Sequence, residues 1–226
     1  MPRRAEPVVR LILALLVLLA PAAACAAEWP DVPEPDDAKS EWVSKHMIYN
    51  GLHMRASRYT SQQSPQQLIA FYSKQWPGQV TVNDVGSKTI VGHAQGEHYI
   101  TIELNGAGTG SDAQVGIVRL LKEKPRTAPG ADFMKPSGTT VVNDIQYLDN
   151  PGRTLAMEST LSPYQSEAFY RNRLPAEGWT AQSSATACSM ISNSCVSSYS
   201  KGKQQMTLTF NRREKGTSIV VNQLQQ

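Results

Sequence analysis

One fourteen-residue pattern occurs twice in this chain, and it constrains the fold more than any bulk property does. Ser64 to Pro77 (SPQQLIAFYSKQWP) and Ser162 to Pro175 (SPYQSEAFYRNRLP) lie 98 positions apart and agree at seven of fourteen positions. An internal repeat of this kind means that one supersecondary unit has been used twice. Each shared residue has a physical job. Ser64 and Ser162 are helix N-caps, accepting hydrogen bonds from amides that the first turn leaves free. Pro65 and Pro163 fit the first helical position, where a missing N–H costs nothing. Gln67 and Gln165, three residues past the cap, complete a capping box. Tyr72 with Trp76, and Tyr170 with Leu174, fall four apart on one helix face. Pro77 and Pro175 end the helices. The shared Phe-Tyr pairs read first as anchors packed against a sheet.

The flanks repeat in kind, without identity. Lys45 to Tyr49, then Asn50-Gly51, then Leu52 to Tyr59 reads as a hairpin, because Asn-Gly suits the tight left-handed turn. Thr139 to Leu148 and Arg153 to Thr160, joined by Asp149-Asn150-Pro151-Gly152, read the same way. Past the first helix, Val80–Val85, Thr89–Ala94, His98–Leu104 and Gln114–Leu121 are strand-like, with a flexible loop expected over Gly106 to Gly110. Past the second, the strand-like segments are Trp179–Ser183, Cys195–Ser200, Gln205–Asn211 and Ser218–Gln223. The alternation in His98 to Leu104 and in Gln205 to Phe210 implies one buried and one wet face.

The expected fold class is therefore α+β: two tandem copies of a ββαββββ module, each an antiparallel sheet with one helix packed across it. The expected boundaries are a signal peptide over 1–27, an acidic, Pro-rich and poorly ordered lead-in over 28–39, a first module over 40–121, a linker over 122–138, and a second module over 139–226.

The first 27 residues have a basic start (Arg3, Arg4, Arg10), an apolar run from Leu11 to Ala20, and small residues after Pro21. This is the layout of a secretory signal peptide. Its apolar run falls short of the roughly 20 residues that span a bilayer. Two fates are open for Cys25: removal with the signal, or lipidation after cleavage before it. The chain is expected in the periplasm or secreted, or held at the outer membrane by lipid on Cys25. The formal net charge is +3, but the signal carries three of the arginines and one glutamate, which leaves nineteen basic and eighteen acidic residues. That balance offers no basic stripe for nucleic acid. Beyond the signal only Cys188 and Cys195 remain, and an even pair in an oxidising compartment reads as a disulfide.

No catalytic constellation stands out. The serines of Ser183 to Ser200 have no histidine after them, and the Gly106 to Ser111 stretch lacks the lysine of a phosphate loop. His93, Glu97 and His98 could meet in a hairpin, yet ordinary turn polarity accounts for them, and no metal or cofactor is expected. The favoured reading is a non-enzymatic exported interaction or scaffold protein whose partner is another envelope protein. Met190 and Ile191 would be displayed on the disulfide loop as the contact. The alternative is a carrier of a small apolar ligand or lipid, with Phe71, Tyr72, Trp76, Phe169, Tyr170 and Trp179 lining its pocket.

Overall fold

The computed structural model describes residues 29–123, 125, 127–182 and 188–225. The signal segment 1–27 and Cys25 lie outside these residues, as do 183–187 of the serine-rich stretch.

The first half runs β1 (Lys39–Tyr49), β2 (Leu52–Ser61), α1 (Pro65–Gln75), β3 (Val80–Val85), β4 (Lys88–Gln95), β5 (His98–Ala107) and β6 (Gly110–Arg119). The second runs β7 (Thr139–Tyr147), β8 (Gly152–Ser159), α2 (Pro163–Arg173), a 3-10 turn (Leu174–Glu177), β9 (Thr180–Ala181), β10 (Ser194–Lys201), β11 (Gln204–Arg213) and β12 (Gly216–Gln225). Both capping boxes are formed: each cap serine accepts from the backbone of its glutamine, whose side chain returns the bond to the cap amide. The stretch expected as a flexible loop is a tight turn at Gly108 and Thr109, because β5 and β6 stay paired out to Ala107 and Gly110.

The expected pair of separate helix-on-sheet modules is overturned. All twelve strands form one antiparallel sheet in the order β3-β4-β5-β6-β2-β1-β7-β8-β12-β11-β10-β9. The molecule is mostly antiparallel sheet, with two α-helices among the described residues. The cause lies at β1 and β7. Each would be an edge strand in an isolated module, with a row of unpaired N–H and C=O groups, and such edges seek partners. Here they satisfy each other, Met47 opposite Tyr147 and Tyr49 opposite Ile145.

Side chains lock this seam. Ser44 Oγ donates to Asp149 Oδ1 at 2.8 Å, and the Lys45 amide to Asp149 Oδ2 at 2.7 Å. Tyr49 Oη donates to Asn143 Oδ1 at 2.7 Å. Asn50, at the left-handed position of its turn, takes the Asp144 amide on its own Oδ1 and donates its amide to the Asp144 carbonyl. The bonds from Lys45 and Ser44 hold the Asp149 carboxyl below its ordinary value of 3.8, and bonds from Gln62 and Ser61 do the same for Asp37. Folded values below the unfolded ones mean a contribution fully present above about pH 4 and lost as pH falls below it. Denaturant titrations should therefore show stability level near neutrality and falling under about pH 4, with a shallower acid slope in Asp149→Asn.

Both helices lie on the same face of the sheet because of the seam register: Ile48 stands opposite Gln146, Ile48 also pairs with His53 on the Tyr59 face of β2, and Gln146 pairs with Arg153 on the Leu155 and Met157 face of β8. Under α1, Ile100, Ile102 and Leu104 of β5 alternate inward beside Ala113, Val115 and Ile117 of β6, with Leu68 and Tyr72 above them. Under α2, Leu155, Met157, Ile219, Val221, Leu208 and Phe210 do the same with Tyr170. Residues 29–38, expected to be poorly ordered, pack instead. Trp29, Val32 and Ala38 lie against the first core. Asp37 accepts from the Gln62 amide at 2.6 Å and from Ser61 Oγ. Phe133 and Met134 do the same work for the second core.

The cores differ at one revealing pair. In the first, Tyr59 Oη and Tyr72 Oη hydrogen-bond at 2.8 Å, and burial pushes the Tyr59 phenol up to about 12. Ninety-eight positions on, Met157 stands for Tyr59, and the buried Tyr170 hydroxyl has no partner among the described residues. Removing one partner of a buried bond strands the other at a cost of about 1–3 kcal/mol, whereas removing a lone hydroxyl costs little. Tyr72→Phe should thus lower stability by about that amount, and Tyr170→Phe should leave the melting temperature level or raise it.

Candidate functional site

The second half departs most from the first between β9 and β10. Ser64 and Ser162 are 98 apart, but Gly110 and Gly216, the first residues of the sixth strand in each half, are 106 apart. The extra length falls where Cys188 and Cys195 are bonded, their Cα atoms 5.1 Å apart. Cys195 is buried in the second core, so the bond ties the loop to the packed interior. Within the loop the Ser189 amide donates to Ser192 Oγ at 2.9 Å, and the Ser192 amide to the Ser189 carbonyl at 3.1 Å. Arg212 of β11 supports it from below: Nη2 donates to the Met190 and Ser192 carbonyls, and its amide to the Asn193 carbonyl at 2.7 Å.

This scaffold presents two large aliphatic side chains to water. Met190 is 78% exposed and Ile191 89%, the highest values among the exposed large hydrophobic residues of the described chain. Single exposed aliphatics are ordinary. Here two neighbours stand together at the tip of a cross-linked, hydrogen-bonded loop.

The six aromatic residues expected to line a ligand pocket divide into two sets. Phe71, Tyr72 and Trp76 belong to the first core, with Tyr72 and Trp76 stacked at 5.3 Å. Phe169, Tyr170 and Trp179 belong to the second. Trp179 also borders a cavity of about 280 Å³ at the far end of the sheet.

The histidine hairpin exists, with each member engaged elsewhere. His93 stacks on Trp76 at 4.2 Å, and its Nδ1 lies 3.0 Å from the Gln79 carbonyl. Glu97 pairs with Arg119 at 3.2 Å. His98 lies against Trp29, and burial, with Arg119 and Arg55 nearby, pushes its pKa down. Among the described residues no group of three or more His, Cys, Asp or Glu side chains could hold a metal ion.

One cluster was not visible in the sequence. Arg153 on β8 donates from Nε and Nη2 to both oxygens of Asp144 at 2.9 and 2.8 Å, and from Nη1 and Nη2 to both oxygens of Asp132 at 2.8 and 2.7 Å. These bonds push the guanidinium pKa up. Arg55 occupies the same place in the first half and lies under the Trp29 ring, 4.8 Å from its centroid. The 98-residue offset relates the two arginines; only the fold shows that each anchors the segment preceding its own half.

No family model matches this sequence, and no curated protein matches it significantly. Among solved structures it is similar to the apo structure of the immunity protein TplEi of T6SS from Pseudomonas aeruginosa, at a TM-score of 0.27 and 11% identity, covering 85% of this chain and 84% of that one. A likeness that loose carries no argument. Among the described residues no helix is long and apolar enough to cross a membrane.

Proposed function

We propose that this chain is an exported, non-enzymatic interaction protein of the bacterial envelope, and that the disulfide loop 188–195 is its contact with a protein partner. The observation that carries the reading is the exposure of Met190 and Ile191 on a loop pinned by Cys188–Cys195 and Arg212. The signal-like N-terminal segment and the bonded cysteine pair support export, since such a bond persists in oxidising compartments. A carrier function draws less support, because Tyr72 and Tyr170, two of its expected lining residues, are fully packed in the cores.

Burying an aliphatic side chain is worth about 1.5–3 kcal/mol. Met190→Asp with Ile191→Asp should therefore weaken partner binding by at least about a hundredfold. The two side chains touch water rather than core, so the melting temperature should hold. Recovery of a crosslinked partner from native envelopes, wild type against this double variant, measures the effect. Equal recovery would remove the loop from the contact.

A further inference from the structure

The cavity beside Trp179 is a different kind of surface from the disulfide loop. It lies where the β7–β8 turn, the end of β12 and the start of β11 come together, at strand ends opposite those that carry the disulfide loop. Gln146, Arg153 and Gln223 face each other across β7, β8 and β12, and Gln204 opens β11 beside them. Trp179 makes another wall, and Asp132 completes the lining through its fork on Arg153. The carboxamides of Gln146 and Gln204 have no hydrogen bond to other described residues. Gln223 has only a long contact from Nε2 to Met206 Sδ, at 3.7 Å.

We infer that this cavity binds a neutral saccharide. Three properties of the lining point there together. An indole offers an apolar plate that suits the C–H face of a sugar ring, with a favourable stacking geometry. Uncommitted carboxamides offer donor and acceptor side by side, which matches vicinal hydroxyls. The charge argues against an anion: the Arg153 guanidinium is already spent on two carboxylates, so the cluster of Asp132, Asp144 and Arg153 is net negative. The same polar lining disfavours a purely apolar ligand, which would leave the amides unpaired. At about 280 Å³ the cavity suits a chain end rather than a long bound polymer.

The test uses the full mature chain and isothermal titration calorimetry, with titration by cellohexaose, maltohexaose and chitohexaose, and by glucose 6-phosphate as the anionic comparison. At least one neutral sugar should give a saturable change. Trp179→Ala should weaken it about tenfold or more. Gln204→Ala, an exposed position, should weaken it about threefold with an unchanged melting curve, and this variant carries the test if Trp179→Ala fails to fold. The inference is overturned if all three neutral sugars are silent up to their solubility limits, if binding survives both substitutions, or if the phosphorylated sugar binds more tightly than the neutral ones. Loss of partner capture by the loop variant leaves this result untouched, so the two readings fail separately.

Discussion

Arg153→Ala is expected to lower folding stability by about 3–5 kcal/mol, because it leaves a buried carboxylate without its cation. The Arg153 side chain is 14% exposed and that of Asp144 7%. Without the guanidinium, Asp144 keeps one side-chain bond, from the Gly130 amide at 2.8 Å. Its backbone is also part of the seam through Asn50, so it has no freedom to swing into water. Two comparisons separate the orphaned charge from lost packing. Asp132→Asn should cost well under about 1 kcal/mol, since that side chain is 67% exposed and its pair is screened by solvent. Arg55→Ala, at the matching place in the first half, should cost about 1 kcal/mol, the worth of a partly desolvated cation–π contact. Chemical denaturation of the four proteins checks the ordering. A loss under about 1 kcal/mol for Arg153→Ala would contradict it.

Gly216→Ala should be comparably damaging, and Gly110→Ala somewhat less so. Each glycine opens the sixth strand of its half where that strand slides beneath the last residue of the second. A Cβ at Gly216 would sit 2.0 Å from the Ser159 carbonyl oxygen, far inside van der Waals contact, and one at Gly110 would sit 2.2 Å from the Ser61 carbonyl oxygen. Backbone on both sides leaves nothing to rotate away, and overpacking of this kind costs about 1–3 kcal/mol. Gly216 also has φ +108°, a conformation that adds about 1–3 kcal/mol for any other residue. The close approach has a purpose: Ser111 Oγ and Thr217 Oγ1 reach the Gln63 and Leu161 carbonyls, each at 2.7 Å, tying the strand to the turn before each helix. Gly202→Ala, with φ +58° and no atom within 4 Å, isolates the conformational part and should cost about 1 kcal/mol.

What could be read from the residues was local. Ser64, Pro65 and Gln67 announce a capped helix because every group involved lies within four positions. His98 to Leu104 announces a half-buried strand because burial alternates with period two. The joining of β1 to β7 left no such trace. Met47 and Tyr147 are 100 positions apart, and the pairing uses backbone groups that every residue carries. The pinning residues Asp149 and Asn50 look like ordinary turn formers until their bonds to β1 and β7 are seen. The acidic composition of residues 28–39 suggests a loose tail; Trp29 and Val32 within it are half-buried against the first core, and Asp37 caps the end of β2. The match of Gly110 to Gly216 was hidden because the disulfide loop shifts the offset from 98 to 106. At the candidate site, Met190 and Ile191 stand out because no other residue between Cys188 and Cys195 is large and apolar. Arg153 did not, since its carboxylate partners come from two other segments.

If the pinned loop meets a protein partner, a side chain at its tip lies within crosslinking reach of that partner. A photocrosslinking residue placed at 191 in the native envelope tests it directly, with the same residue at the exposed Val85 as comparison. One discrete adduct is expected from position 191, little or none from position 85, and loss of the adduct when Cys188 and Cys195 are both replaced by serine. An absence of adduct at 191, or equal adducts at the two positions, would contradict it.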